Sequence, residues 1–315
     1  AVDRETAEAW YPVIGQLHAR SEEQLRLWQA YTEALPEPDP DEQGTPPPAP
    51  ARWLLKRGSG DDGEITLYSS PVLADNVLFS RLWSRCFGTV LTSATLTALG
   101  QFDRLQMRAG LPADSRCLVI PSSFNYQKNA SVEVPESSME PGDSETFAAR
   151  IADALPSVLE RDSAALVLFT ARRQMLRVRD SLDEYWRDRV ITQDDYTRAE
   201  VLERHRQRVD EGEISILFGV ASFAEGIDLP GEYLEHVVIT RLPFSVPDDP
   251  IEASLAEWIS SRGGNPFMEI SVPDASIRLV QAAGRLLRSE TDTGRITILD
   301  RRIITRRYGQ LLLDA

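Results

Sequence analysis

The stretch Ala164-Ala165-Leu166-Val167-Leu168-Phe169 is apolar throughout, and the fold follows from how it is read. Six residues make a strand but not a helix, and a strand without polar and apolar alternation has to be buried on both faces. Helix-like stretches flank it at 145–159 and 172–186. The pattern then repeats. A helical stretch at 198–211 leads to an apolar strand at 214–218, followed by a strand at 236–240. Helices at 251–261 and 275–288 precede a strand at 295–299 and a closing helix at 304–313. Buried strands alternating with helices predict a parallel sheet covered on both faces, a doubly wound α/β fold in which ligands bind at the carboxyl ends of the strands.

Upstream the signals are weaker. Short strands are expected at 65–68 and 88–92, separated by a helix-like 74–83, and a further helix at 99–107. Trp10, Ile14, Leu17, Leu25, Trp28, Tyr31 and Leu35 recur at near-helical spacing across 3–35, which predicts one or two amphipathic helices with nothing obvious to pack against. Between them and the rest lies 36–50, with seven prolines and four acids in fifteen residues, read as an extended, solvated connection.

The 315 residues are 42% hydrophobic and carry a net charge of −15, the profile of about two soluble domains. No run of about 18 apolar residues is present to span a membrane. The chain begins with Ala and shows no secretory signal, so it reads as starting inside a longer polypeptide. Cys86 and Cys117 are too few and too far apart to build a zinc or iron–sulfur site, and are read as reduced thiols in or near apolar strands. Acidic balance argues against nucleic acid until its distribution is considered: residues 1–50 hold ten acids and three bases, whereas 278–307 hold eight arginines and three acids. Lysine occurs only at 56 and 128, and no Gly-Lys pair exists, so the sequence contains no Walker A phosphate loop.

Four strings carry chemistry. Gln281-Ala-Ala-Gly284-Arg285-Leu-Leu-Arg288, read as helix, aligns Arg278, Gln281, Arg285 and Arg288 at spacings of three and four on one stripe. A glycine inside that helix suggests close approach of another backbone or a ligand. The second string is Leu217-Phe-Gly219-Val-Ala-Ser222-Phe-Ala-Glu225-Gly226-Ile-Asp228-Leu-Pro230-Gly231, a buried strand running into a glycine-rich loop. The third is Thr92-Ser93-Ala94-Thr95, and the fourth Phe169-Thr170-Ala-Arg172. By themselves these last two are strand ends followed by helix caps.

In order and spacing the four strings resemble motifs VI, V, III and IV of superfamily 2 helicases, in their DinG/YoaA-like, XPD-type branch. Further strings at 242–247, 263–267, 299–302 and 306–309 look like the same branch. The resemblance implies a RecA-like second motor domain at 110–315, the last piece of a first motor domain at 52–109, a linker at 36–51, and the tail of an arch-type insertion at 1–35, whose apolar surface would then be exposed. It implies an ATP-dependent 5′ to 3′ DNA helicase of the DNA damage and SOS response in the bacterial cytoplasm and nucleoid, acting on single-stranded or forked DNA. Arg285 and Arg288, with Gln281, would serve the γ-phosphate. Glu225, Gly226, Asp228 and Gly284 would line the nucleotide, with Asp228 on the ribose. Ser93, Thr95, Thr170, Arg172 and Ser222 would face DNA or couple it to the nucleotide. Stacking of Phe223 or Phe244 on bases is a further option.

The departures matter equally. The phosphate loop, the acidic Mg²⁺ box and the cluster cysteines of the family are missing, and Asp41-Glu42 does not replace the box because it sits in the proline segment. ATP and Mg²⁺ would be shared with a first motor domain elsewhere in the polypeptide, any iron–sulfur cluster would be bound outside this chain, and the chain alone should not hydrolyse ATP. Two other classes stay open: a non-catalytic RecA-like regulatory module, and a different α/β nucleotide-binding enzyme.

Overall fold

Strands of a sheet need hydrogen-bonding neighbours, and the apolar strings find them in one another. A computed structural model describes residues 3–32, 46–58, 63–112, 114–245 and 248–315. The expected linker residues 36–45, and 33–35 at the end of the amino-terminal helical region, lie outside the described residues. The chain divides into two compact units, one of 1–87, 107–111 and 246–266, the other of 88–106, 112–245 and 267–315.

In the smaller unit a single helix, Arg4–Thr32, precedes an antiparallel hairpin of β1 (Ala51–Arg57) and β2 (Glu64–Ser70). Trp53 and Tyr68, paired across the hairpin, stack with ring centroids 5.1 Å apart. The Tyr31 hydroxyl sits 2.9 Å from the carbonyls of both, which fixes the end of the long helix on the hairpin. The apolar residues of that helix remain exposed, Trp10, Ile14, Leu17, Leu25 and Trp28 each by more than half. Residues 46–50 are largely exposed, as expected of a solvated connection, and one hydrogen bond ties them down. The Trp258 indole, on helix Pro250–Ser261 of the same unit, donates to the Pro46 carbonyl at 2.8 Å.

The larger unit contains six parallel strands, β3 (Ala130–Glu133), β4 (Ala164–Phe169), β5 (Val190–Thr192), β6 (Ser215–Val220), β7 (His236–Ile239) and β8 (Gly294–Ile298), in the order β3-β8-β7-β4-β6-β5. Successive side chains of a strand point to opposite faces. Leu166, Leu168, Leu217, Val237 and Ile296 therefore pack on one face against Val272, Leu279 and Leu286. Ala165, Val167, Phe169, Ile216 and Phe218 pack on the other against Ile151, Leu155, Met175 and Val178. This is the doubly wound sheet expected from the apolar strings.

The amino-terminal ends of three strands are tied by a buried polar group. Asp162, just before β4, accepts from Arg295 at 2.7 Å and His236 at 2.5 Å, and the far side of the His236 ring faces Thr297 Oγ1 at 2.7 Å. In doubly wound sheets ligands bind at the opposite, carboxyl ends of the strands.

Several expected elements differ. Residues 88–92 form no strand, because no described strand lies beside them, and Val90 is 89% exposed. The helix read at 99–107 starts later, at Asp103, after Leu99 adopts φ 52°. The helix read at 172–186 breaks at Leu182, where Asp183 caps a new turn by accepting from the Trp186 amide at 2.9 Å. The helix read at 275–288 runs from Val272 to Ala283 only. The closing helix splits at Arg306 into Arg302–Thr305 and Arg307–Leu313. Strands β3 and β5, four and three residues long, were too short to show a pattern in sequence. Both cysteines are exposed and outside any strand.

Candidate nucleotide and nucleic-acid site

The site grows from the carboxyl end of β6. The strand is buried to Gly219, and a short helix, Ala221–Ala224, turns Phe223 back onto that glycine. A Cβ at 219 would lie 2.4 Å from Phe223 Cδ1, so only glycine permits the fold-back. Phe223 is buried by it, which removes it as a base-stacking surface. Beyond, Ile227 and Leu229 are buried at 1% and 0% exposure. Period-two alternation then leaves Gly226 and Asp228 outward, Glu225 is exposed at the end of the short helix, and Gly226 has φ 73°, a conformation that favours glycine.

The second half of the site is the chain leaving helix Val272–Ala283. The single polar stripe expected there is broken, since Arg285 and Arg288 lie beyond the helix. Arg278 donates to the Pro243 carbonyl at 3.1 Å and Gln281 to Thr95 Oγ1 at 3.2 Å. After Gly284, the buried Leu286 and Leu287 pull the backbone inward and turn Arg285 and Arg288 toward the loop of β6. Among the described residues no other segment crowds Gly284. A Cβ there would meet, among the described residues, the carbonyls of Val280 at 3.2 Å and Gln281 at 3.8 Å, both of the helix it ends.

The two arginines are held differently. Arg288 donates to the Ile227 carbonyl, with its Nε 3.6 Å from Asp228 Oδ1. Arg285 is half-buried, and its side chain makes no hydrogen bond or ion pair among the described residues. Burial lowers its pKa from the usual guanidinium value and the Arg288 charge lowers it further, while Glu225 opposes them. A guanidinium keeps its proton under ordinary conditions, so Arg285 remains a cation beside Arg288 and Glu225.

Other expected residues are close by in the sheet. Phe169 pairs with Val220, so Thr170 and Ser222 emerge exposed just past adjacent strand ends. Arg172 is taken by Asp194 at 2.5 Å. Ser93 Oγ accepts from the Thr95 amide at 3.2 Å, which shapes the turn that offers Thr95 to Gln281. Phe244 packs against Phe267 and Tyr308, with centroids 5.2 and 5.4 Å away, and lies beneath the Arg302 guanidinium. Arg198 and Arg206, on helix Arg198–Asp210, also reach the loop, donating to the carbonyls of Glu225 and Asp228. Sequence reading passed over both, since two more arginines on an arginine-rich helix carry no signal. Among the described residues no group of three or more His, Cys, Asp or Glu side chains is placed to hold a metal ion.

Comparison with known proteins shows the family of the chain. Residues 156–315 match the helicase C-terminal domain family. The ATP-dependent DNA helicase DinG of Photobacterium profundum is 44% identical over 272 residues, covering 84% of this chain and 39% of the relative. The ATP-dependent DNA helicase DinG of Escherichia coli K12 is 34% identical over 270 residues, covering 84% and 38%. The chain thus spans about two-fifths of the length of these curated relatives. Among solved structures, Xpd4 of S. tokodaii superposes with a TM-score of 0.54 at 20% identity, covering 75% of this chain and 45% of that one, which speaks for a shared RecA-like fold.

Proposed function

The chain belongs to the helicase C-terminal domain family, and from that premise we propose that it is the carboxy-terminal half of an ATP-dependent 5′ to 3′ DNA helicase. In this reading 110–315 is the second motor domain, 52–109 the last piece of the first, 36–51 a linker and 1–35 the tail of an arch-type insertion. One observation above others supports it. Arg285, half-buried and without an ionic partner among the described residues, stands beside the glycine-rich loop at the strand ends, as a guanidinium kept for an anionic ligand group would.

ATP, when bound, supplies the γ-phosphoryl group whose transfer to water drives the cycle. Arg285 is the residue that neutralises charge developing on that group, and Asp228 takes the ribose hydroxyls. Glu225, Gly226 and Gly284 line the nucleotide side. Gln281 couples it to Thr95 through their hydrogen bond. Thr170, Ser222, Arg172 and Ser93 face the backbone of single-stranded or forked DNA. Mg²⁺ and any iron–sulfur cluster belong to the remainder of the polypeptide, and this chain alone turns over no ATP. The family resemblance extends the proposal to a DNA damage response in the bacterial cytoplasm and nucleoid.

The test is hydrolysis in the polypeptide that joins this chain to a phosphate-loop motor domain. Arg285→Ala should reduce turnover by about 10³-fold or more while ATP binding persists, the range for an arginine donated to a transferring phosphoryl group. Near-normal hydrolysis would sink the assignment. Unwinding only from a 3′ overhang would reverse the polarity.

A further inference from the structure

We propose that Arg198 and Arg206 are positioning residues that hold the loop after β6 in its nucleotide-facing shape, with Arg288 as the third member of the same clamp. The role given to the loop rests on the functional reading above; the hold rests on geometry. Between 225 and 228, three of four backbone carbonyls are taken by guanidinium groups from outside the loop. Arg198 donates to Glu225, Arg288 to Ile227, and Arg206 to Asp228 at 2.9 Å.

Arg198 and Arg206 stand eight residues apart on one helix, about 12 Å along its axis at about 1.5 Å per residue. Their acceptors lie on either side of the turn made by Gly226 at φ 73°, so the two arginines hold the loop at separate points. The helix is itself fixed, since its Val201 and His205 are fully buried. Ile227 and Leu229 anchor the loop in the core while cations fix its carbonyls, and a hydrogen bond with a charged donor is about twice as strong as a neutral one. With the backbone so held, the Asp228 side chain is 78% exposed and available to a ligand.

The consequence is a division of labour between the two arginines that follow helix Val272–Ala283. Arg288 is engaged by loop backbone, so it acts through the loop. Arg285, free of hydrogen bonds and ion pairs among the described residues, is the one left to touch the nucleotide.

Backbone hydrogen exchange on this chain tests the hold directly. Arg198→Met and Arg206→Met should speed exchange of the amides at 225–229 by about tenfold, as loss of one charge-assisted hydrogen bond implies. Exchange in helix Arg198–Asp210 should stay unchanged, which excludes unfolding, and Arg206→Lys, which keeps a donor, should restore much of the protection. Unchanged loop exchange in both Met variants overturns the clamp. In the polypeptide with its phosphate-loop domain, the Met variants should raise KM for ATP about tenfold with kcat within about twofold. Faster exchange with unaltered KM overturns the link to nucleotide. Full hydrolysis by Arg285→Ala would defeat the functional reading alone, and loop exchange would still decide the clamp.

Discussion

The buried histidine of the helix before β6 makes stability depend on pH in a direction that can be worked out. His205 is fully buried, with Nδ1 2.8 Å from Ser215 Oγ and Nε2 2.7 Å from the Tyr233 carbonyl. A carbonyl can only accept, so Nε2 carries the proton and Nδ1 accepts from the serine hydroxyl. Burial disfavours the charged ring and lowers its pKa to about 4, outweighing the hydrogen bond to Tyr233 that favours it. In the unfolded chain the ring titrates near 6.5. Between those values the unfolded state binds a proton that the folded state refuses. The contribution is therefore fully present above about pH 6.5 and is lost as pH falls toward about 4. A difference of about 2.5 units corresponds to about 3 kcal/mol at the acid limit. Urea unfolding of the wild-type chain and of His205→Gln between pH 4.5 and 7.5 measures it. The wild type should lose about 2 to 3 kcal/mol more than the variant over this range. Parallel curves for the two proteins would refute the buried neutral histidine as the cause.

Three further outcomes follow from the packing. Gly219→Ala drives a Cβ to 2.4 Å from the buried Phe223 ring and should cost about 1 to 3 kcal/mol in chemical denaturation, and an unchanged midpoint would show that the ring yields freely. Asp162→Ala strands Arg295 and His236 at the amino-terminal ends of β7 and β8, so a loss of about 3 to 5 kcal/mol is expected by the same measurement, against under about 1 kcal/mol if the group were solvated. Trp258→Phe removes the donor to Pro46 and should cost about 1 kcal/mol in chemical denaturation, with an unchanged midpoint as the contrary result.

How much was legible in sequence depends on how local its cause was. The apolar run at 164–169 became β4 without change of boundary, because burial on both faces leaves no polar position to blur the signal. The string at 217–231 became a strand end and loop, since its glycines are demanded by backbone geometry and crowding at single positions. The string at 281–288 was less transparent. Its spacing suits a helix, yet the helix ends at Ala283, because Leu286 and Leu287 gain more by entering the core than by continuing the turn. Residues 88–92 have strand composition and no strand partner among the described elements.

The sequence by itself determined the fold class and the residue types at the site, because burial pattern and glycine placement act over a few neighbouring positions. Only the tertiary structure decided which arginine is committed to backbone and which has no hydrogen bond or ion pair among the described residues. That choice depends on carbonyls contributed by a loop some sixty residues earlier in the chain, and no periodicity within 278–288 encodes where they will be.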